Sequence, residues 1–474
     1  MSSLITTIQS KLGYSSKKAL LLGAGFVTKP TVQILADAGV EVTVVGEITT
    51  AACRTLESAK KLCEGIKNTK PVSLDVSKDA DLDAAVEQSD LVISLIPYTF
   101  HATVIKSAIR KKKNVVTTSY VSDAMKELEP QVLEAGITVM NEIGLDPGID
   151  HLYAVKTIEE VHRAGGKIKS FLSYCGGLPA PEASDNPLGY KFSWSSRGVL
   201  LALRNAARFY EGGSVKDIAG PDLMASAKPY FIYPGFAFVA YPNRDSTPYR
   251  QRYGIPEADT VIRGTLRYQG FPEFVKVLVD IGFLSDEEQP YLKPPSSSDK
   301  KPISWAEATQ KIIGSSTNKE ADLAWAIQSK TKFTDTAAKQ RIISGIKWLG
   351  LFSDTPITPR GNPLDTLCAT LEEKMQYEEG ERDMVMLQHK FEIEHKDGST
   401  ETRTSTLVDY GDPKGYSSMA KLVGVPCGLA CLMVLDGRIS KKGVLAPVTW
   451  DLAEPLLTEL KDKYGIFLTE KTIE

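Results

Sequence analysis

The sequence predicts an α/β protein whose first part is a parallel sheet covered by helices on both faces. Three observations predict it: a strand, turn and helix pattern that repeats from Lys18, strands that are apolar throughout, and a glycine-rich turn after the first strand. Alternating strands and helices favour parallel pairing, because each helix returns the chain to the same end of the sheet. Strands covered on both faces are apolar on both faces.

Six strands are expected in this first part. The first covers residues 19–22 and is followed by a helix that carries Pro30 in its first turn, where the missing N–H costs nothing. The helix runs to about Ala38, and Gly39 ends it. The other five strands are predicted at residues 40–45, 71–75, 90–97, 114–120 and 137–141.

The pattern changes after Asp146. Longer strands and one helix predict a second α/β domain with a mixed sheet; they cover residues 167–175, 236–240 and 261–268 for the strands and 196–210 for the helix. A linker rich in Pro, Ser and Lys then precedes a region of helical periodicity, with helices at 337–349 and 364–375, which we expect to be an all-helical insertion.

The last part of the chain returns to the first two domains. Residues 385–394 and 401–410 flank the turn Asp397-Gly398 and predict a hairpin that rejoins the second sheet. The helix at 418–435 that follows this hairpin is expected to belong to the second domain as well. A final helix at 452–464 is expected to pack on the first domain.

Composition excludes several kinds of protein. The 474 residues are 42% hydrophobic and 24% charged with a formal net charge of −3, so no field is expected that would hold nucleic acid or an anionic membrane. Six cysteines without CxxC spacing indicate reduced thiols in the cytosol. The five histidines show no metal-ligand spacing, so we expect no metal. We also expect no stretch apolar for long enough to span a bilayer, and a loosely packed amino-terminal extension.

The turn Gly23-x-Gly25-x-x-Thr28 follows a strand and opens a helix, the context that makes this short motif informative. Gly23 permits a tight turn, Gly25 allows close approach of a pyrophosphate, and the helix amino terminus favours negative charge. Thr28 replaces the usual third glycine. The motif predicts a Rossmann dinucleotide-binding domain, the alternative being a purely structural glycine turn.

The end of the second strand selects between the two nicotinamide cofactors. An acid there binds the ribose 2′-hydroxyl of NAD, and an arginine accepts the 2′-phosphate of NADP. The chain offers both, Glu47 just after the strand and Arg54 seven residues later. Spacing from Gly23 favours Glu47, so the pattern alone leaves the cofactor open.

Polar residues follow three further strands of the first domain. Tyr98 ends the fourth strand, where a packed aromatic is the alternative to a functional phenol, and Thr117-Thr118-Ser119-Tyr120 ends the fifth strand beside the expected nicotinamide. Asp146 follows the sixth strand, in the crevice, and is a candidate for binding a substrate ammonium. For Asp150, at the start of the next helix, we favour a capping role.

Three residues of the second domain are candidates for substrate contact. Cys175 ends a strand before two glycines, although a buried structural cysteine is the default interpretation. Arg244 lies in a polar turn and Arg267 within a strand; arginine binds carboxylates with two parallel hydrogen bonds. Either arginine could instead form a surface ion pair, which is harder to argue for Arg267.

Longer passages resemble the saccharopine dehydrogenase family, in its NADP-dependent, glutamate-forming branch. The resemblance runs from Lys18 to the carboxyl terminus, and the passages that carry it are residues 91–101, 141–151, 174–181, 186–195 and 263–268. Such long matches are more specific than the glycine motif.

The family implies three domains, and the expected division of this chain follows it. The parts are an extension over 1–17, a dinucleotide-binding Rossmann domain over 18–145 with 444–474 packing back, an α/β substrate-binding and dimerisation domain over 146–290 and 384–443, and a helical domain over 291–383. The resemblance also implies a homodimer with saccharopine, or 2-aminoadipate 6-semialdehyde and L-glutamate, bound between the first two domains; the cytoplasmic location is the expectation from the cysteines.

The family's binding residues map onto this sequence position by position. Matches to cofactor-binding positions are Gly23, Ala24, Gly25, Phe26, Ala52, Cys53, Arg54, Leu74, Asp75, Leu95, Thr117, Thr118, Gly144, Leu145, Asp146 and Ser193. Matches to substrate-binding positions are Tyr98, Ser119, Tyr120, Asp146, Arg244, Thr265, Leu266 and Arg267. Candidates near the reacting centre are Ser119, Asp146 and Cys175; no residue is identified as the general acid or base.

One departure concerns cofactor choice. The family passes from its second strand directly into Cys-Arg-Thr-Leu, whereas this chain has residues 46–51 in between. Either a loop bulges there or the end of the strand is displaced. We expect residues 46–51 to loop outward and Arg54 to return to the adenosine ribose, because residues 52–60 keep the family's pattern.

The implied reaction is a reductive condensation in which the amine of glutamate attacks the semialdehyde, water leaves and NADPH reduces the imine to saccharopine. A homospermidine-type synthase of the same fold is the alternative enzyme, but Arg244 and Arg267 argue against a polycationic substrate. A noncatalytic dinucleotide sensor is the alternative from another class. Sequence leaves the direction of flux open.

Overall fold

The computed structural model describes residues 17–49, 52–53, 56–294 and 302–473. The strands are β1 (Lys18–Leu22), β2 (Glu41–Thr49), β3 (Ala52–Cys53), β4 (Thr69–Leu74), β5 (Leu91–Ser94), β6 (Asn114–Thr117), β7 (Thr138–Met140), β8 (Lys167–Pro179), β9 (Ala207–Glu211), β10 (Ser214–Ile218), β11 (Lys228–Pro229), β12 (Phe238–Pro242), β13 (Thr260–Tyr268), β14 (Asp383–Glu394), β15 (Thr400–Tyr410), β16 (Gly443–Leu445) and β17 (Thr469–Ile473).

The chain also contains α-helices, which alternate with the strands in its first third. They are α1 (Lys29–Asp37), α2 (Leu56–Cys63), α3 (Asp79–Glu87), α4 (His101–Lys111), α5 (Asp123–Lys126), α6 (Glu129–Ala135), α7 (Ile149–Arg163), α8 (Ser196–Ala202), α9 (Tyr249–Arg252), α10 (Phe271–Asp280), α11 (Trp305–Ile313), α12 (Glu320–Lys330), α13 (Thr336–Trp348), α14 (Pro363–Lys374), α15 (Ser418–Leu435) and α16 (Trp450–Tyr464).

Two compact units contain these elements. The first comprises the chain up to Gly166 together with Ser418–Thr469, and the second comprises Lys167–Ser417 and the residues after Thr469. This division differs from the expected one: the segments 146–166 and 418–443 belong to the first unit, and the helical region 291–383 is not a separate unit.

The first unit is built on a sheet with the order β16-β7-β6-β5-β1-β2-β4, and all of these pairs are parallel. The six expected strands and their Rossmann arrangement are confirmed. Sequence reasoning missed β16, which adds a seventh parallel strand beside β7 at the edge. Leu21, Leu22, Val44 and Ile93 are fully buried, which explains why these strands lack polar alternation.

Helix α15 packs against α1 in the first unit, not in the second as expected. The hydroxyl of Thr31 donates to the carbonyl of Gly424 at 2.8 Å, and a Cβ on Gly424 would lie 2.7 Å from the carbonyl oxygen of Val27. Its 18 residues are long and apolar enough to cross a membrane, contrary to expectation, but 83% of the helix is buried inside the protein. That burial is typical of a core helix.

The second unit is built on a mixed sheet with the order β10-β9-β13-β8-β14-β15-β17, and β12 also pairs with β13. Strands β13 and β8 pair in parallel, whereas β13 pairs antiparallel with β9 and β12, and β14 pairs antiparallel with β8 and β15. The β14–β15 hairpin rejoins this sheet as predicted. Residues of α10, α11, α13 and α14 share one hydrophobic cluster with the sheet, which explains why the helical region is not a separate unit.

Two predictions of local structure are wrong. The helix predicted over residues 196–210 ends at Ala202, and β9 and β10 form a hairpin through Gly212 and Gly213, both at positive φ. The residues 46–49 do not loop outward but continue β2, because Gly46 and Glu47 pair with Ser73 and Leu74 of β4. The chain then returns as β3, antiparallel to the end of β2.

Helix α16 packs on α7 and α15 of the first unit, as predicted for the residues up to Tyr464. The segment after it differs from the prediction that residues 444–474 pack on the first domain. Strand β17 pairs with β15 at the edge of the second sheet. The hydroxyl of Thr404 donates to the carbonyl of Lys471 there.

Candidate functional site

The glycine turn between β1 and α1 forms the floor of the candidate cofactor site in the first unit. Gly23 has φ +105°, and a Cβ there would lie 2.7 Å from the carbonyl oxygen of Leu95, so only glycine fits. This contact brings Gly23 and Leu95, two predicted cofactor residues, together. Thr28 stands where a third glycine usually permits close helix–strand packing; it is buried, and its hydroxyl donates to the Gly25 carbonyl at 2.7 Å.

The ends of β2 and β4 lie side by side next to this turn. The backbone of Glu47 pairs with Leu74, the last residue of β4. Asp75 follows, and hydrogen bonds from the side chain and backbone of Ser77 hold the pKa of its carboxyl below the usual range. Ala52 and Cys53 lie in β3, but the described residues do not include Arg54, nor the side chain of Glu47, so the competition between these two stays a prediction.

A buried histidine joins the ends of β5 and β6. The Nδ1 atom of His101 lies 2.8 Å from the Ser94 hydroxyl, and its Nε2 atom lies 2.8 Å from the Ser119 hydroxyl. The Thr117 hydroxyl is 3.4 Å from the same Nε2 atom. Burial lowers the pKa of His101 from 6.5 to about 4, so the ring is neutral at physiological pH.

The loop after β7 meets the end of β6. The hydroxyl of Tyr120 donates to Asp146 at 2.6 Å, and the backbone N–H of Glu142 donates to the Ser119 carbonyl. The Thr117–Tyr120 and Gly144–Asp146 segments, both predicted to contact ligands, are therefore one connected structure. Thr118 joins it too, because its Cβ lies 3.4 Å from the position of a Cβ on Gly144.

A second buried histidine, His151 of α7, supports this loop. Its Nε2 atom lies 2.7 Å from Oε2 of Glu142, whose Oε1 accepts the N–H of Val121. Glu142 is fully buried with φ +60°, a left-handed conformation that is uncommon for a residue other than glycine. Asp150 accepts the N–H of Gly148 at 2.7 Å, which agrees with its predicted role at the start of the helix.

In the second unit, Cys175 on β8 is paired in register with Thr265 on β13. Both lie on strands at the centre of the mixed sheet, and Cys175 is only 9% exposed. The backbones of these strands approach closely, since a Cβ on Gly176 would lie 2.9 Å from Leu266. Three predicted residues, Cys175, Thr265 and Leu266, are thus neighbours.

Arg267 is the most distinctive group of the second unit. It is 6% exposed, and its guanidinium carbon lies 5.0 Å from the ring centre of Tyr190 and 5.3 Å from that of Phe271. Its NH1 donates to the Leu266 carbonyl at 2.8 Å, and its Nε has no acceptor. Within the described part of the chain it forms no salt bridge with a carboxylate, although a buried guanidinium normally has one.

Four other predicted residues lie in turns and loops. Tyr98 is 69% exposed on a short 3₁₀ turn after β5, and Phe26 is 64% exposed on the glycine turn. Arg244 is exposed at φ +55° in the turn after β12, where its carbonyl accepts the N–H of Arg208. Ser193 of the second unit is buried, and its hydroxyl has no hydrogen-bond partner among the described residues.

Sequence reasoning missed the supporting residues, Ser94, His101, Glu142 and His151. A usable signal existed for the first pair: a serine that ends an apolar strand and a histidine seven residues later that begins the next helix. No local signal marks the second pair, since their contact joins a loop to a helix across nine residues. Among the described residues, no group of three histidine, cysteine or acidic side chains is arranged to hold a metal ion.

The parallel sheet, its glycine turn and the polar groups at its strand ends define a nicotinamide-dependent dehydrogenase. A family model described as the saccharopine dehydrogenase NADP binding domain matches residues 19–140, and one described as the saccharopine dehydrogenase C-terminal domain matches residues 144–466. The chain belongs to the saccharopine dehydrogenase family.

Individual relatives agree with the family. A saccharopine dehydrogenase [NADP(+), L-glutamate-forming] of Pyricularia oryzae is 69% identical over 462 residues, which cover 97% of this chain and 100% of that protein. The protein of the same name from Saccharomyces cerevisiae is 61% identical and covers 96% and 99%. The solved structure of apo saccharopine dehydrogenase (L-Glu forming) from that yeast has a TM-score of 0.85 at 60% identity and covers 97% of this chain and 100% of that one.

Proposed function

We propose that this chain is an NADP-dependent saccharopine dehydrogenase of the L-glutamate-forming type. It condenses 2-aminoadipate 6-semialdehyde with L-glutamate and reduces the product to saccharopine, or runs the reverse reaction, in lysine biosynthesis by the aminoadipate route. Relatives that carry this name match over nearly their whole length, at 61–69% identity.

The residues of the first unit fit NADP. The turn at Gly23 has the conformation that only glycine adopts readily, and it opens α1 at the carboxyl edge of the parallel sheet, where dinucleotides bind. When bound, the nicotinamide supplies and accepts the hydride. The polypeptide's part is to orient the groups around it, through the linked strand ends that carry Ser119, Tyr120 and Asp146.

The observation that carries the choice of substrate is Arg267. A guanidinium that is 6% exposed and has no carboxylate partner in the described residues is expensive to bury, and an anionic ligand offsets that cost. Saccharopine and glutamate carry carboxylates, whereas the substrate of a homospermidine-type synthase is a polycation. The charge of Arg267 therefore favours the former.

Turnover tests this function directly. With glutamate and 2-aminoadipate 6-semialdehyde, the purified protein is expected to oxidise NADPH, measured by loss of its near-ultraviolet absorbance. Replacing the semialdehyde by a polyamine-derived aldehyde should give no oxidation. A noncatalytic sensor would bind NADPH, seen as a change in its fluorescence, without oxidising it with either aldehyde, and that result would refute the proposal.

We also propose a cytoplasmic homodimer without a nucleic-acid or membrane partner. The five free cysteines of the described part of the chain and the formal net charge of −3 support a cytosolic protein that does not bind polyanions. Light scattering after gel filtration is expected to give a mass of about 104 kDa, twice the 51.8 kDa of one chain. A mass of one chain at micromolar concentration would contradict the dimer.

A further inference from the structure

The hydrogen bonds around His101 form a continuous buried chain across two neighbouring strand ends. Ser94 ends β5, His101 begins α4, and Ser119 follows β6. The two ring nitrogens lie 2.8 Å from the two serine hydroxyls. Ser94 and His101 are each 1% exposed, whereas Ser119, at the other end of this series of hydrogen bonds, is half-buried.

Burial keeps the ring of His101 neutral, and a neutral ring can bond to both serines. A neutral imidazole has one N–H donor and one acceptor nitrogen, so one serine hydroxyl accepts from the ring and the other donates to it. In either tautomer the Ser119 oxygen is held 2.8 Å from Nε2, and the direction of its hydrogen is fixed as well when Nε2 is the acceptor. The backbone of Ser119 is held as well, because its N–H donates to Thr117 Oγ1 at 3.3 Å and its carbonyl accepts from Glu142.

We propose that His101, anchored by Ser94, is a positioning residue that holds the Ser119 hydroxyl oxygen in place for contact with the bound substrate. The inference rests on the proposed function, because Ser119 has a use for a fixed hydroxyl only if a ligand reaches it. His101 itself is too deeply buried to meet a ligand from solvent. Its effect on turnover therefore passes through Ser119.

The expected effect separates chemistry from cofactor binding. A misplaced contact at a reacting centre costs up to about 100-fold in rate. We expect His101→Gln and Ser119→Ala each to lower kcat/KM for saccharopine on the order of 10-fold to 100-fold, while NADPH binding measured by fluorescence scarcely changes. Ser94→Ala should give a smaller loss in the same direction, because it removes only the anchor of the ring.

A double-mutant cycle provides the test. If His101 acts through Ser119, the variant carrying both His101→Gln and Ser119→Ala should be no slower than Ser119→Ala alone, because the second change has nothing left to position. Losses that multiply would overturn the proposal. So would wild-type saccharopine kinetics in His101→Gln or in Ser119→Ala.

The control is Ser107→Ala on the same helix. Its buried hydroxyl donates to Asp83 at 2.5 Å, away from the chain of hydrogen bonds, so its loss should lower the melting temperature without changing kcat/KM. If His101→Gln does not fold, Ser94→Ala replaces it in the cycle. Failure of the proposed function is distinct, because the wild type itself would then not turn over saccharopine.

Discussion

At the scale of single residues, the candidate site is marked by buried polar groups more than by any sequence motif. Arg267 is predicted from its residue type within a strand, and the structure adds the observation that gives it weight: burial against two aromatic rings, with no carboxylate partner among the described residues. His101 could not be identified in the same way. Its importance depends on hydroxyls from two strands that meet only in the folded sheet.

Replacing Arg267 tests the carboxylate contact. Losing a charge-assisted hydrogen bond to a substrate carboxylate costs on the order of 1.5–3 kcal/mol, or about 10-fold to 100-fold. We expect Arg267→Ala to raise the KM for saccharopine by that factor with little change for NADP, and Arg244→Ala to act in the same direction. The exposed Arg208 provides the control, since Arg208→Ala should leave both constants unchanged. Wild-type kinetics in both site variants would remove them from the site.

Cys175 is expected to be dispensable for chemistry. Reduction of an imine by hydride needs no covalent thiol intermediate, and Cys175 is 9% exposed within a central strand. We predict that Cys175→Ser retains substantial turnover in the NADPH assay. An adduct of the thiol with the semialdehyde, detected by mass spectrometry, or complete loss of activity in a folded variant would contradict this view.

Cofactor preference is predicted to depend on Arg54 and not on Glu47. The relatives are NADP-dependent by name, and an arginine near the adenosine ribose attracts the 2′-phosphate. Arg54→Ala should therefore lower the kcat/KM for NADPH and scarcely affect that for NADH. A wild-type preference for NADH, or a shift in the cofactor ratio on Glu47→Ala but not on Arg54→Ala, would assign the selective position to Glu47.

At the scale of elements, predictions succeed where the hydrophobic periodicity is strong and fail where strand pairing decides which structure a segment adopts. The apolar strands and the Asp-Gly hairpin were predictable because each has its own pattern. Strand β9 was not predictable from its own pattern. The sequence of residues 196–210 is typical of one helix, and only the two glycines at positive φ and the partner strand β10 show that its last part is a strand. The extension of β2 depends likewise on its pairing with β4.

The contact of α15 with α1 gives a prediction for an element. Gly→Ala in a helix normally stabilises by up to about 1 kcal/mol, but a methyl on Gly424 would meet the Val27 carbonyl at 2.7 Å. Overpacking of this kind costs about 1–3 kcal/mol, so Gly424→Ala should lower the melting temperature. The control is Gly235→Ala, where a methyl has nothing within 4 Å. An unchanged or raised melting temperature in Gly424→Ala would show that α15 is packed less closely.

At the scale of the whole molecule, the fold class was predictable and the division into units was not. Local patterns identified a Rossmann sheet, a mixed sheet and a helical region, all of which are present. They could not show that residues 418–469 return to the first unit or that β17 joins the second, because these assignments depend on contacts 393 residues apart for Thr31 with Gly424 and 67 residues apart for Thr404 with Lys471. The supporting residues of the site lie closer in sequence, 7 to 18 residues apart for the contacts of His101, but their pairing also depends on how the strands and helices pack.

The pH dependence of unfolding is a property of the whole molecule that His101 is expected to shape. Its pKa is about 4 in the folded protein, because burial disfavours the charged ring, and returns to about 6.5 on unfolding. Between these values the unfolded chain binds the extra proton, so this contribution to stability is complete above pH 6.5 and is lost as the pH falls toward 4.

Comparison with His101→Gln isolates that contribution, since the carboxylates titrate alike in both proteins. Over this window the wild type should lose about 3 kcal/mol more of its free energy of unfolding than the variant does. Urea unfolding at a series of pH values measures the difference. If the wild type and His101→Gln lose stability in parallel from pH 6.5 to 4, the pKa of the ring is the same in the folded and unfolded chains, and the folded protein takes up the proton over this range. The two serine contacts of the ring would then both be accepted by the hydroxyl oxygens, and the Ser119 hydrogen would be free to turn toward the ligand.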